Sequence, residues 1–411
     1  MKHTVKDRFL KYVQIDTQAD PFSDTIPSTA KQLNLSKELS KELDAMGIEH
    51  ELSKEGYVYA TIEGNTSKPN VPSVFFCSHV DTAPDCSGTG VKPIVHENYQ
   101  GGTITLPDDP AQVISDEKFP ELKEKIGHDI ITASGTTLLG ADDKSGVASI
   151  MDAAYQLVNN PDIKHGKVML FFTVDEEIGK GVAHMDKDKL KADFGYTLDS
   201  GDIGSFEYEN FSANGFHIDI IGNSAHPGYA KGKMENALKI ASEIVSQLPS
   251  DRLSPETTSG MEGFVHPTNI KGDLQNARIS FIIRDFVTEN LAKHEAEVEA
   301  IAKSVLDQYP NSSYKATSKL QYRNMKDVVK EHMHIVDHAK TAMENLGIPY
   351  KLSAIRGGTD GAVLSHNGMP CPNLFSGQHG IHSKLEWTTV QEMESAVKTV
   401  VEICKLIEEK A

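Results

Sequence analysis

Cysteine is scarce in this 411-residue chain. The four residues, Cys77, Cys86, Cys371 and Cys404, stand far apart with no CxxC spacing, so they read as buried thiols and not as a disulfide framework. Positive charge is also short. Against 59 Asp and Glu there are 41 Lys and Arg, and the net charge of −18 opposes binding to phosphate backbones and anionic lipid surfaces. Long apolar runs are missing: nothing approaches the roughly 20 residues of a membrane span, and the opening MKHTVKDRFLKYVQ has no apolar stretch of signal length. The expectation is a cytoplasmic protein with neither nucleic acid nor membrane as a partner. Internal repeats and low-complexity tracts are absent too.

What remains is a globular composition, 38% hydrophobic and 24% charged, with short apolar runs spread evenly. The length favours two domains. Strand and helix signals alternate from the start: a helix near Val5 to Val13, a helix over 28–46 closed by Gly47, a strand at 57–63, and the buried run Val74-Phe75-Phe76-Cys77 leading into His79. Residues 84–137 are rich in Gly, Pro and Asp and read as a long excursion with a Gly101-Gly102 turn and a hairpin ending near Thr136. A helix from Ser145 to Asn159, a strand from Val168 to Val174 and a strand at Tyr196-Thr197-Leu198 follow. Acids or an imidazole close each buried strand, so polar chemistry gathers at the carboxyl ends of an apolar sheet, where α/β folds bind ligands.

From residue 212 to 324 the order changes to strand 214–222, helix 233–248, strands 263–272 and 277–286, helix 288–308 and strand 313–323. That is the βαββαβ, ferredoxin-like unit. It reads as a domain inserted into a larger α/β domain made of 1–211 and 325–411. The latter resumes with a helix at 326–346, ended by Gly347, and a last helix near 388–409.

Several constellations could carry chemistry, each beside a plainer alternative. In His79-Val80-Asp81 the imidazole and carboxylate share a strand face; the plain alternative is a polar strand edge. Asp142 and Asp143 open a helix, as N-capping acids do, yet a carboxylate fixed there can also bridge two metal ions. Asp175-Glu176-Glu177 follows a buried strand, where three adjacent acids repel unless cations compensate them; adjacent glutamates let one coordinate metal and the other move a proton. Asp199 ends another strand. His226 lies in a turn, GNSAHPG, as a surface histidine or a group facing a carbonyl, Arg284 ends a strand as a salt-bridge partner or a fork for a carbonyl or carboxylate, and Arg356 opens the Gly-rich RGGTDG, a structural turn or one that lets substrate backbone approach closely. His379 and His382 flank a Gly-Ile pair near the only tryptophan. Either could ligate a metal, and spacing does not choose between them.

Together the pieces SHVDT, GADDKSG, TVDEEIG, TLDSG, NSAHPG, RGGTDG and HSKLEW resemble, in order and over nearly the whole chain, a two-zinc peptidase family. That family holds tripeptide aminopeptidases, dipeptidases, glutamate carboxypeptidases and acetylornithine-type deacylases. The long excursion, the DEEIG form and HPGYAKGKMENA look closest to its tripeptide aminopeptidases.

The resemblance implies an α/β catalytic domain with a mixed sheet flanked by helices, and an inserted βαββαβ lid. It implies two Zn2+ per subunit, with His79 and Asp199 on one, Glu177 and His382 on the other, and Asp142 bridging them. Asp81 would orient His79, and Glu176 would be the general base. His226 would meet the scissile carbonyl, while Arg284 and Arg356 would anchor substrate. The implied reaction is removal of the N-terminal residue from short peptides; the same metal site would also serve a dipeptidase or an N-acyl amino acid deacylase.

Overall fold

A computed structural model describes residues 4–411. By contacts the chain divides into two units, Met1–Tyr208 with Met325–Ser353 and Thr359–Ala411, and Glu209–Asn324 with Ala354–Gly358.

The first unit is built on an eight-stranded mixed sheet. Its strand order is Glu49–Leu52, Val58–Ile62, Val168–Thr173, Val74–His79, Phe194–Ser200, Asn373–Phe375, Ser205–Asn210 and Lys351–Ile355. The middle four run parallel. Parallel strands are covered on both faces, which is why VFFCSH and VMLFFT are apolar without alternation and buried throughout. Helices Ala141–Asn159 and Val390–Lys410 pack on each other, and Val5–Tyr12 packs on both. Gly146 lets the first of these helices approach the strand closely, for a Cβ there would lie 2.1 Å from the Leu198 carbonyl oxygen.

Most expected elements are present within a few residues. The helix expected at 28–46 is Gln32–Met46, closed by Gly47 at φ 70°. Two expectations need correction. The single helix at 326–346 is broken into Lys326–Val329 and Met333–Asn345 by a 3-10 turn, because His332 leaves helical geometry at φ −130°, ψ 38°. The excursion is also more than one hairpin. Ile104–Thr105 pairs with Val113–Ile114, while Ile130–Thr132 lies between Ile94–His96 and Trp387–Thr389, a strand from far along the chain. Trp387, fully buried, is the hub of the small core under this excursion, with Tyr99, Leu106, Ile114, Leu122 and Ile130.

The second unit is a βαββαβ domain. Its antiparallel strands follow the order Phe264–Gly272, Asn276–Asp285, Ser212–Ile221 and Ser313–Tyr322. Helices Ala237–Ser246 and Thr288–Leu306 share one core with the sheet, through Ile240, Ile244, Val298 and Val305 against Ile218, Ile279, Phe281 and Ile283. Residues 354–358 belong to this unit because Phe211 N–H donates to the Ile355 carbonyl at 3.1 Å and Arg356 is bonded to the 258–262 loop. Among the described residues no helix is long and apolar enough to cross a membrane.

Candidate metal centre

The carboxyl ends of the parallel strands, together with the start of helix Ala141–Asn159, carry the site. His79 is the last residue of its strand and is buried. Its Nδ1 lies 3.1 Å from the Asp81 carbonyl oxygen and 3.5 Å from Asp81 Oδ1, so the ring is oriented from one side while Nε2 points at Asp142. Asp142 stands between two imidazoles. Its Oδ1 is 3.0 Å from His79 Nε2, and its Oδ2 is 3.4 Å from His382 Nε2. On the His79 side, Asp199 Oδ1 is 3.8 Å from Nε2. On the other, Glu177 Oε2 is 2.9 Å from His382 Nε2.

The structure therefore brings all five expected ligands together. Glu176 joins them, since its carboxylate, His79 and Asp199 present ligand atoms within 4.8 Å of one another, as do His79, Asp142 and Glu177. Asp81 also shapes the backbone. Its two carboxylate oxygens accept the N–H groups of Glu176 and Glu177, each at 3.1 Å, which fixes the turn bearing both glutamates. Asp175, the first of the three consecutive acids, faces inward. It sits at φ 62°, outside the usual range for a non-glycine residue. Ser28 N–H at 2.7 Å, Gln32 Nε2 at 2.6 Å and Ser28 Oγ all donate to its carboxylate and hold it there. The triplet is thus divided between one structural anchor and two glutamates on the site side.

The charges in this nest do not balance. Burial first, then the Asp142 charge, raises Glu177 to about 7. Burial likewise raises Glu176, with Asp199 adding to it, and raises Asp199, with Asp142 adding to it. Burial would raise Asp142 also, but His382 and His79 outweigh it and hold it below the ordinary carboxylate range. In return Asp142 and Glu177 push His382 up to about 11. Among the described residues, no lysine or arginine forms an ion pair with any of the five. Glu177 Oε1 is buried without a hydrogen-bond partner. Oxygen and imidazole donors, excess negative charge and an orphaned carboxylate oxygen together fit divalent cations of the zinc type.

His379, three residues before His382, goes elsewhere. It stacks flat on Trp387 at 3.8 Å between ring centres, and its Nε2 lies 3.1 Å from Glu392. His226 is exposed in the second unit; its Nδ1 accepts the Gly228 N–H at 3.2 Å, which places the ring proton on Nε2, free to donate. In the same unit Arg356 lies over Phe211 and has its guanidinium engaged by the Gly260 and Glu262 carbonyls and Thr258 Oγ. Arg284 donates to the Arg356 carbonyl at 3.2 Å and keeps a buried Nε without a partner.

Three contributors escaped the motif reading. Glu386 accepts the backbone N–H groups of Leu139, Gly140 and Asp142 at 2.8, 2.7 and 2.9 Å, and so shapes the loop that presents Asp142. Gln378 Nε2 donates to Asp199 Oδ1 at 3.2 Å. Asp85 Oδ2 is 3.4 Å from His382 Nδ1, as Asp81 is to His79. Glu386 lies within HSKLEW, the only sequence hint for any of them.

The chain is 45% identical to peptidase T of Bacillus pumilus, over 100% of both chains. It belongs to the peptidase T family. Residues 208–310 match the family profile described as the peptidase dimerisation domain. Among solved structures, a tripeptidase from Staphylococcus aureus superposes with a TM-score of 0.76 at 21% identity, covering 98% of each chain. A dinuclear metal-binding peptidase of the M20 family from Bacillus subtilis superposes at 0.68 with 14% identity, covering 99% of this chain and 98% of that one. At such identities these two structures speak for the fold alone, while the curated relative decides the family.

The Glu386 contacts generate a test. Glu386→Gln keeps the shape but can accept on one oxygen only, leaving at least one loop N–H facing an amide donor. The loss in unfolding free energy should be on the order of 2 kcal/mol, read from denaturant midpoints. An unchanged midpoint removes Glu386 from this role.

Proposed function

We propose that this chain is a cytoplasmic metallo-aminopeptidase that releases the N-terminal residue of tripeptides. The observation that carries the reading is the place of Asp142, one oxygen toward His79 and the other toward His382, with Asp199 and Glu177 alongside. The names of the relatives, peptidase T and tripeptidase, support the substrate class. Four thiols with no disulfide support the compartment.

His79 and Asp199 would hold one zinc ion and Glu177 and His382 the other, with Asp142 placed to serve both. Bound there, such ions would supply Lewis acidity, polarising the peptide carbonyl and lowering the pKa of a water toward neutrality. Glu176, beside His79 and Asp199 but outside the ligand set, takes the proton of the attacking water and returns it to the leaving amine. Its burial, with the Asp199 charge beside it, raises its carboxyl, the direction that favours a group able to take up and hold a proton. Asp81 keeps the His79 ring and the glutamate turn in register. The inserted domain acts as a lid that delivers His226, whose Nε2 proton meets the carbonyl oxygen as charge develops on it. Arg284 and Arg356 anchor the far end of the peptide.

One panel tests these roles: bound zinc, and cleavage of di-, tri- and tetrapeptides and N-acetyl amino acids. Wild type should bind two zinc ions and favour the tripeptide, cut at its first bond; no zinc-dependent cleavage of any substrate defeats the reading. Glu176→Gln should keep both ions and lose about a hundredfold in turnover, and near-normal turnover removes it as the base. His382→Ala should lower zinc content, whereas His379→Ala should not; the reverse transfers the role. His226→Ala should lose roughly a hundredfold in turnover at unchanged zinc content, and full activity would make it a surface residue.

A further inference from the structure

A second buried ion cluster ties together segments adjoining two of the candidate ligands. Lys125 follows the 3-10 turn Pro120–Glu124 of the excursion, and its side chain is only 1% exposed. Its Nζ donates to Glu392 Oε1 at 2.7 Å and to Asp202. Glu392 is buried on the first turn of the helix Val390–Lys410, and three further groups converge on it: Ile203 N–H at 3.2 Å, Thr389 Oγ at 2.8 Å and His379 Nε2 at 3.1 Å. The opposite ring nitrogen of His379 is 3.5 Å from Glu121, which belongs to the turn before Lys125.

Asp202, His379 and Glu392 present ligand atoms within 4.8 Å of one another, a spacing that would suit a cation. The ammonium of Lys125 already compensates them. Asp202 lies three residues beyond Asp199. His379 adjoins Gln378, whose amide holds Asp199, and precedes His382 by three residues. The ammonium bonds Asp202, just beyond the strand end that carries Asp199, and Glu392, which in turn holds His379 on the segment leading to His382. The buried ammonium and the buried Glu392 carboxylate cannot part without leaving a charge unpaired, which favours one fixed distance between them.

We infer that Lys125 is a positioning residue for the metal pair, a built-in cation that, through Asp202 and through Glu392 with His379, sets the separation of the Asp199 strand end and the His382 loop. It touches neither the ligands nor the substrate, and the inference rests on the metal assignment proposed above. Two variants test it. Lys125→Met with Glu392→Gln removes ammonium and carboxylate together, so that no new charge is buried alone. Asp202→Asn changes one partner whose side chain is 19% exposed and which also meets Lys351. In metal-buffered solution, the free zinc needed for half-maximal tripeptide cleavage and for half-maximal zinc binding should rise roughly tenfold in both, as when groups supporting metal ligands are removed. KM at saturating zinc should stay at the wild-type value. A zinc requirement unchanged in both variants overturns the inference, even if their melting temperatures fall, because the cluster then only stabilises the fold. If wild type itself neither binds zinc nor responds to it, the metal assignment fails first and takes this inference with it.

Discussion

The first unit is arranged around a concentration of negative charge with which, among the described residues, no lysine or arginine is paired. Asp142, Glu176, Glu177 and Asp199 converge within a few ångströms of two imidazoles at the end of an apolar sheet. Such a nest costs folding free energy unless cations compensate it. The surroundings hold it open: Asp175 is locked by Ser28 and Gln32, Asp81 by two backbone N–H groups, and Glu386 by three. Each of these three acids is used on backbone geometry, so those that face the site are free to use their lone pairs elsewhere.

Two buried acidic clusters in the same unit reach opposite solutions. Around Glu392 and Asp202 the chain supplies Lys125, and the cluster is complete. Around Asp142 no lysine or arginine is paired among the described residues, and a buried glutamate oxygen is left over. One arrangement is structural because its charge is satisfied; the other is chemical because it is not.

Much of this was legible in the sequence, for a physical reason. Strands buried on both faces must be apolar without interruption, so the polar groups that end them stand out: His79, Asp199 and the Asp175-Glu176-Glu177 triplet all close or follow such runs. The insert was legible because strand and helix periods alternate cleanly in it. The βαββαβ order and the likeness to tripeptide aminopeptidases hold. What stayed hidden depends on pairing across the chain. Nothing local to Glu386 points to an N–H group 244 residues earlier, nor anything near Lys125 to Glu392, 267 residues later. The sheet within the excursion is not legible locally, because the partner of Ile130–Thr132 on one side is Trp387–Thr389. The break at His332 carries no proline or glycine to announce it.

The long reach of Glu386 also sets an order of events during synthesis. Chains emerge from the ribosome at about 5–20 residues per second and their early parts fold first. The loop that presents Asp142 waits for a carboxylate 244 positions downstream, with the whole insert translated in between. Through that interval its amide groups lack their acceptor, and His382 is not yet made. Until the segment around Trp387 is made, the nascent chain therefore lacks both His382 and Glu386 and carries only part of the candidate metal centre.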